Sequence, residues 1–343
     1  MKIIKLQLVN YRNQPKTEMG FGSSTAIIGP NGVGKTNLIE AIRYGSIMKA
    51  YRAKNLAEAI KKGSLFSTLN LEIKTKDRNQ KITIAIEGGV KSVKVNNIKK
   101  PIAQAVGVLK TVLFAPDDLD FISGPPATKR KFINTLISQR DFRYLTALLE
   151  LNKIIQNRNA TLTRLAIGQG NATELEIWDD RLIALSNQIH PKREDVIEKI
   201  NLNLSNYYRQ ISGNDTDELT IKYNPSWVDE KILASAKTRD IRFQKTHNGP
   251  HQDDIKIYLN NNDLSIYGSR GEKRSGLLAV KLSEIESLNQ DDPPVLLVDD
   301  ALSEFDSKRQ SYLLRIIKNQ QTIITATRET EEIRQACDKI IRI

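Results

Sequence analysis

The run Gly29-Pro30-Asn31-Gly32-Val33-Gly34-Lys35-Thr36 has the spacing G-x-x-x-x-G-K-T. Its glycines free the backbone to turn N–H groups toward phosphate oxygens, and a helix starting at the lysine adds its positive end. In such a loop Lys35 reaches the β- and γ-phosphates of a nucleoside triphosphate, and the Thr36 hydroxyl ligates Mg²⁺. Far downstream, Asp299 and Asp300 follow the apolar run Val295-Leu296-Leu297-Val298. A carboxylate at a strand tip can hold the same cation, and its neighbour can polarise an attacking water. Asp299 is therefore expected at the metal and Asp300 as a catalytic residue, with Glu304 the next candidate. Two acids after an apolar strand mean little alone. Behind a phosphate loop they point to hydrolysis of ATP or a similar nucleotide.

These groups need particular elements to hold them. Thr25-Ala26-Ile27-Ile28 reads as a buried strand before the loop, and Asn37-Leu38-Ile39-Glu40-Ala41-Ile42 as the first helical turns after it. Strands are expected over 2–9 and 24–28 and a helix over 34–48. A strand meander covers 67–95, with Gly88-Gly89 and Asn96-Asn97 as turns, and another strand covers 108–114. Helical spacing then takes over, in one run over 128–166 and a second over 173–211. Gly168-Gln169-Gly170 separates the two runs, and Pro191 is expected to kink or break the second. Neither run sustains heptads, which excludes a long coiled coil. Strands return at 218–223, 253–259, 295–298, 321–325 and 338–343, with a helix over 272–289. Strand–helix alternation at both ends predicts one nucleotide-binding domain from residues 1–115 plus 240–343, with a mainly helical lobe inserted over 116–239.

Composition narrows the function classes. The chain has 343 residues, a net charge of +12, one cysteine and three histidines. Cys337 alone makes no intramolecular disulfide or cysteine-cluster metal site. No apolar run approaches membrane-helix length, and the N-terminus lacks a signal-peptide core, so a cytoplasmic protein is expected. The charge is uneven. Residues 41–110 hold 15 Lys and Arg against 4 Asp and Glu, and 126–167 hold 8 against 2, whereas 168–343 hold 24 against 29. A basic N-terminal half suits a polyanionic partner or a solvated basic surface. Lys74, Lys76 and Arg78 are expected on one exposed strand face with Lys91 and Lys94 nearby, and Lys129, Arg130 and Lys131 form the competing site. His251 is read as fixing a turn, with a nucleotide or DNA contact as the alternative, Trp178 and Trp227 as core anchors, and Tyr207-Tyr208 as packing rather than base stacking.

Gly268-Ser269-Arg270-Gly271-Glu272-Lys273-Arg274 resembles the signature motif of ATP-binding-cassette ATPases, and Ala301-Leu302-Ser303-Glu304-Phe305-Asp306 resembles their D-loop. The superfamily's switch histidine falls near Thr325-Ala326-Thr327, where there is none. The match then narrows. The phosphate loop with 37–42, Leu113-Phe114-Ala115-Pro116-Asp117-Asp118-Leu119, Gly124 to Phe132, Gln156-Asn157-Arg158-Asn159-Ala160, Trp178-Asp179, Gly249-Pro250-His251-Gln252-Asp253-Asp254 and Leu296 to Asp306 together resemble the RecF family of bacterial DNA-repair ATPases. The likeness runs in order along nearly the whole chain. One departure is that Arg270, Glu272 and Lys273 stand where the family usually carries glutamines.

The resemblance implies an α/β fold: an ABC-type P-loop ATPase head with an antiparallel β subdomain and an inserted helical lobe. It implies ATP and Mg²⁺ as cofactors, held by Gly29, Pro30, Asn31, Gly32, Val33, Gly34, Lys35, Thr36 and Asn37, with Thr36 and Asp299 at the metal. Ser269, Gly271 and Glu272 would act on the nucleotide of a second subunit, making an ATP-dependent homodimer. The implied partners are double-stranded DNA near single-strand/double-strand junctions and the proteins RecR and RecO, and the implied role is loading of RecA onto gapped DNA with slow hydrolysis as a reset. An ATP-binding switch that scarcely hydrolyses, a defence-type ATPase and a transporter ATPase are the rivals. The chain ends at Ile343 with no room for a nuclease, and its basic half suits a transporter poorly.

Overall fold

Alternating apolar residues near the N-terminus build the first sheet. In the computed structural model, which describes residues 1–49, 55–289, 292–304, 306–316 and 319–343, β1 (Lys2–Tyr11) buries Ile3, Leu6 and Leu8. It pairs antiparallel with β2 (Gln14–Gly20) and β4 (Phe66–Lys74). β5 (Asn79–Glu87), β6 (Val90–Val95) and β7 (Ile98–Lys99) complete a sheet of order β2-β1-β4-β5-β6-β7. Leu69, Leu71, Ile73, Ile82, Ile84, Ile86 and Val93 share the buried face, as the period of two requires.

The second sheet is the one that carries chemistry. β3 (Ser24–Ile28), β8 (Thr111–Phe114), β12 (Val295–Asp299), β13 (Thr322–Ala326) and β14 (Lys339–Arg342) pair in the order β14-β3-β13-β12-β8. Every pairing is parallel. β3 and β12 are buried at every residue, as expected of strands covered on both faces. Both chain ends thus contribute to one sheet. Helix α1 (Lys35–Ile47) touches strands of both sheets. Gly45 permits this approach, since a Cβ there would lie 2.1 Å from Leu71 Cδ1.

These elements belong to one compact unit, Met1–Leu119 with Gln210–Gly213 and Arg274–Ile343. Its remaining helices are α2 (Ile102–Ala105), α10 (Ser307–Ile316), α11 (Glu331–Ala336) and most of α9 (Arg270–Leu288). On α9 the buried Lys281 ammonium lies 3.3 Å from Asp118 and 3.2 Å from Glu284. Burial pushes the Glu284 carboxyl up, and the neighbouring Lys281 and Arg43 charges oppose that rise.

The second unit is Asp120–Arg209 with Asn214–Lys273. It contains α3 (Asp120–Ser123), α4 (Pro126–Ser138), α5 (Phe142–Ala166), most of α6 (Ala172–Ser212), α7 (Glu230–Phe243) and α8 (Leu264–Tyr267). β9 (Leu219–Asn224), β10 (Asp254–Leu259) and β11 (Asn262–Asp263) form a sheet of order β11-β10-β9. The expected helix over 128–166 is two helices. Asp141 caps the second, its carboxylate accepting from the Arg143 N–H at 2.9 Å. Residues 240–273, expected with the nucleotide domain, group with the helical arm because β10 pairs with β9 and two buried arginines of the arm bind them.

Arg158 donates to Asp179 at 2.6 Å, to Asp240 at 2.7 Å and to Thr246 at 3.0 Å. Arg193 donates to the Pro250 carbonyl at 2.6 Å and to Asp253. Asp253 also accepts from Tyr223 Oη, from the Ser226 N–H at 2.8 Å, and lies 3.2 Å from His190 Nε2. This network helps to explain why α6 continues through Pro191, which does not break it. A proline inside a helix costs about 3 kcal/mol, but His190 and Arg193 on either side are buried and anchored, and Ile189, Val196 and Ile197 are buried with them. His251, as expected, fixes the turn: its Nε2 hydrogen-bonds the Thr246 carbonyl at 3.0 Å, and burial holds its pKa below the usual value. Trp178 is half-buried and donates to Thr161 at 3.2 Å. Trp227 is no core anchor: it is 53% exposed, with its ring edge-on to His190. Of the tyrosine pair, Tyr208 is buried and Tyr207 half-buried.

Removing one partner of a buried ion pair strands the other charge. Arg193→Ala should therefore destabilise the protein by about 3–5 kcal/mol, read as a lower urea midpoint. The double change Arg193→Met with Asp253→Leu should lose less than Arg193→Ala alone. A single variant with the parental midpoint would show that the pair contributes nothing.

Candidate functional site

β3 is apolar and buried, so the chain emerges from the sheet core at Gly29. The Gly29 N–H donates to the Ala326 carbonyl at 3.3 Å. A Cβ at Gly29 would lie 2.5 Å from the Ile343 carbonyl oxygen, so only glycine fits. Gly34, with φ of 108°, turns the chain into α1. Lys35 begins that helix, and its side chain is 4% exposed. It donates to the Gly29 carbonyl at 2.8 Å and the Pro30 carbonyl at 3.0 Å. The same nitrogen lies 3.9 Å from Asp300 Oδ2.

β12 delivers the acids as expected. Asp299 is 4% exposed. Its Oδ1 accepts from Thr36 Oγ1 at 3.0 Å and from Thr325 Oγ1 at 2.9 Å. Thr325 Oγ1 in turn accepts from the Asp300 N–H at 3.0 Å. Asp300 has a left-handed backbone with φ of 51°, which an aspartate tolerates better than most residues. Its side chain is 33% exposed. The structure thus brings Lys35, Thr36, Asp299 and Asp300 together. A cleft of ≈ 550 Å³ opens beside them, walled by Asn31, Pro116, Asp300, Thr325, Thr327 and Arg328 among others. Glu304 closes the short helical turn Ala301–Glu304; its side chain, like Phe305, lies outside the described residues.

Sequence reasoning missed one part of this site. The turn between β1 and β2 lies on the phosphate loop. Arg12 donates to both carboxylate oxygens of buried Glu40, at 3.0 and 2.7 Å. Asn13 donates to the Val33 carbonyl at 3.3 Å and accepts from Asn37 at 2.7 Å. A Cβ on Gly34 would lie 2.4 Å from Gln14 Nε2. Asn37 therefore holds the loop from outside through Asn13. The polar run Asn10-Tyr11-Arg12-Asn13-Gln14 was the available signal, since it interrupts an alternating strand.

The signature residues lie in the second unit, at the start of α9. Ser269 and Glu272 bond reciprocally. The Ser269 N–H donates to the Glu272 carboxylate at 2.7 Å, and the Glu272 N–H to Ser269 Oγ at 3.3 Å. This is a capping box, which accepts glutamate as readily as glutamine. Lys273 ties the helix to α8, donating to the Ser265 carbonyl at 2.8 Å. On α10, Arg309 pairs with Asp306 of the D-loop segment and donates to Ser275 of α9 at 2.9 Å.

The expected basic face is changed in detail. Lys76 and Arg78 lie in the β4–β5 turn, where Thr75 N–H donates to the Arg78 carbonyl, and Lys74 ends β4. These three are exposed, but do not form one strand face. Lys91 is half-buried, donates to the Met48 carbonyl at 2.6 Å and lies 5.5 Å from the Tyr44 ring centroid. Burial lowers its pKa. Strand register instead lines up Gln7, Asn70, Thr83, Lys94 and Lys99 across the outer face of the first sheet. In the competing segment Lys129 is buried, Arg130 donates to the Asp253 carbonyl, and Lys131 is exposed.

Comparisons with known proteins show the family and the fold. Residues 2–343 match the family model described as the RecF/RecN/SMC N terminal domain. The chain is 34% identical over 353 residues to the DNA replication and repair protein RecF of Agathobacter rectalis, covering 100% of this chain and 97% of that one. It is 35% identical over 341 residues to RecF of Clostridium perfringens, covering 95% and 93%. Among solved structures, the recombination mediator protein RecF-ATPrS in the RecFOR pathway superposes with a TM-score of 0.92 at 31% identity, over 100% of this chain and 96% of that one. An Smc head bound to the C-winged helix domain of ScpA superposes at 0.59 with 18% identity, over 100% and 94%, which shows a shared fold.

The three-way contact at Asp299 predicts an asymmetry between two threonine changes. Thr325→Val removes a bond to Asp299 and the acceptor for Asp300, and should cost about 1–3 kcal/mol of stability. Thr325→Ser should cost much less. Equal unfolding midpoints for the valine variant and the parent would show that the hydroxyl is not engaged.

Proposed function

The chain belongs to the RecF family of DNA replication and repair proteins, and from that premise we propose an ATP-driven, DNA-binding ATPase of recombinational repair. The observation that carries this reading is the convergence of Lys35, Thr36, Asp299 and Asp300 at the ends of β3 and β12. The similar solved structures described as RecF-ATP and RecF-ATPrS support ATP as the nucleotide. ATP would lie along the Gly29–Thr36 loop, its γ-phosphate toward Asp300. Lys35 would exchange its two carbonyl partners for the β- and γ-phosphates. Asn37, through Asn13, keeps the loop in shape for that exchange.

Mg²⁺ suits the donor set. Thr36 Oγ1 and Asp299 Oδ1 are hard oxygens 3.0 Å apart. Adjacent corners of an octahedron with bonds of about 2.05 Å are separated by about 2.9 Å. These two residues would hold the ion, which would neutralise charge on the β- and γ-oxygens. Asp300, more exposed and held by its own N–H, would orient the attacking water and take its proton. Glu304 is the next residue that could do so.

Ser269, Gly271 and Glu272 are proposed to meet the γ-phosphate of a second subunit, so that ATP joins two copies. The capping box leaves the helix start intact despite the altered glutamines, which supports this use. Double-stranded DNA near single-strand junctions would bind the basic N-terminal half, without reading sequence. RecR and RecO are the proposed protein partners, as the pathway named for the similar structure suggests. Hydrolysis would be slow and would reset the dimer. The cytoplasm follows from a DNA partner, and no described helix is long and apolar enough to cross a membrane.

Three variants test the nucleotide reading together. Lys35→Ala should lose most ATP affinity, Asp300→Asn should bind ATP and persist as a dimer without turnover, and Ser269→Arg should bind ATP but stay monomeric. Mixing Lys35→Ala with Ser269→Arg should restore one composite site. Fluorescent-nucleotide titration, phosphate release and mass in solution read these outcomes. A Lys35→Ala protein with parental ATP affinity would sink the assignment.

The DNA reading has its own test. Charge reversal at Lys74, Lys76, Lys94 and Lys99 should weaken duplex binding and flatten its dependence on salt. ATP affinity should stay unchanged. Lys91→Glu should instead destabilise the fold, because its ammonium is committed to Met48. If only Lys131→Glu weakens duplex binding, the DNA face lies on the helical arm.

A further inference from the structure

The end of β13 is where the superfamily's switch histidine is expected, and residues 325–327 there are Thr-Ala-Thr. Thr325 is committed to Asp299 and Asp300 through its hydroxyl. No histidine lies in this stretch to sense the terminal phosphate. Among the described residues that line the cleft, one carries a cationic side chain. Arg328 lines it with Asn31, Asp300 and Thr327.

Three features make Arg328 more than a surface charge. Its backbone is pinned from both sides. β13 before it pairs with both β3 and β12, and Thr330 after it caps α11, accepting from the Ile333 N–H at 3.4 Å. The adjacent acid is already taken, since Glu329 is 2.6 Å from Arg342 and 3.6 Å from Arg334. And the Arg328 guanidinium has no hydrogen bond or ion pair among the described residues, although Asp300 and Glu332 line the same cleft. A fixed backbone with a free guanidinium beside a phosphate loop is a site for an anion that brings its own charge.

Resting on the ATP-site reading above, we propose that Arg328 is a catalytic residue that contacts the γ-phosphate in the transition state, in place of the absent histidine. In the step itself, the water oxygen bonds to the γ-phosphorus and the bond to the bridging oxygen of ADP breaks. The water proton passes to Asp300, and the bridging oxygen leaves with the electron pair. Negative charge grows on the bridging and equatorial oxygens. Arg328 donates to an equatorial oxygen, and its planar fork suits two oxygens at once.

The test compares Arg328→Ala, Arg328→Lys and Arg328→His with the parent in single-turnover hydrolysis. Fluorescent-ATP affinity and ATP-dependent mass in solution are measured in parallel, with Lys35→Ala as the control for the site. Arg328→Ala should hydrolyse on the order of 10²- to 10³-fold more slowly, with ATP affinity within about threefold of the parent's and self-association intact. Arg328→Lys should recover part of the rate. Arg328→His, relative to the parent at each pH, should gain rate as pH falls from about 8 to about 6, while Arg328→Ala shows no such gain. Parental turnover in Arg328→Ala with ATP binding abolished in Lys35→Ala overturns the proposal and leaves the ATP site standing. A slow Arg328→Ala that is also monomeric with ATP, or that neither lysine nor histidine rescues, overturns it as well. Parental binding and turnover in Lys35→Ala overturns the ATP-site reading, and the proposal with it.

Discussion

Asp299 is a carboxylate with almost no access to water, and a bare charge in that position would cost several kcal/mol. What makes it tolerable is that two hydroxyls from different elements meet one of its oxygens. Thr36 brings the start of α1, and Thr325 brings the end of β13. The strand order makes this meeting possible. β13 lies between β3 and β12, so the loop that leaves β3 and the acid that ends β12 flank the strand that carries Thr325. The sheet is parallel, so all three strands finish at the same edge, where ligands of open α/β sheets bind. Thr325 also receives the Asp300 N–H, which fixes the second acid in a backbone conformation that few side chains adopt. One buried oxygen therefore sets the positions of Asp299, Asp300 and the helix that begins at Lys35 together.

The second unit solves a different problem with similar means. Its helices carry two buried arginines, each answered by more than one partner. Arg158 joins Asp179, Asp240 and Thr246, and Arg193 joins Asp253, Pro250 and Asn134. Apolar side chains of similar volume could fill the same space with comparable stability. Directional bonds give a registration that apolar packing does not. The segment Gly249 to Asp254 lies where these bonds converge, which accounts for the residue types in that motif without a ligand. Its histidine and its acids fix the turn before β10 and the strand that follows, and β10 leads on through α8 to the signature serine.

What the sequence made legible were the features with short-range causes. The loop 29–36 announces itself because its spacing, its glycines and its two flanking elements are all local. The acids at 299 and 300 do the same, as does the alternation of the meander. Features that depend on a distant partner were hidden. The polar run around Arg12 and Asn13 shows only that a strand is interrupted; that it closes over residues 33–40 depends on partners twenty or more residues away. Pro191 reads as a break because the local cost is visible, while the anchors of His190 and Arg193 on Asp253 are sixty residues away. Lys91 looks like any surface lysine until the carbonyl of Met48 and the ring of Tyr44 are placed beside it. Helix α7 went unread although Asp229 is a sound cap, because its apolar residues are few and its exposed face is long. Trp227 was misjudged for the converse reason: a large apolar side chain promises burial, but here one edge of it covers a polar network.

The altered signature is best understood at the same level. Glutamate and glutamine at the third helical position do the same work toward Ser269, since either can accept from its backbone N–H. They differ toward a phosphate. A carboxylate favours the helix start itself, where the dipole is positive, and repels an approaching anion. With Glu272 bound to the Ser269 N–H, part of its charge is already spread over that bond. The serine hydroxyl at the start of the helix is what would face a γ-phosphate. Arg270, one residue on from the serine, carries a positive charge of the sign needed to offset the carboxylate. Lys273 also stands where a glutamine is usual, so the three altered positions together carry a net charge of +1 in place of zero, and the carboxylate of Glu272 is more than offset toward an approaching anion.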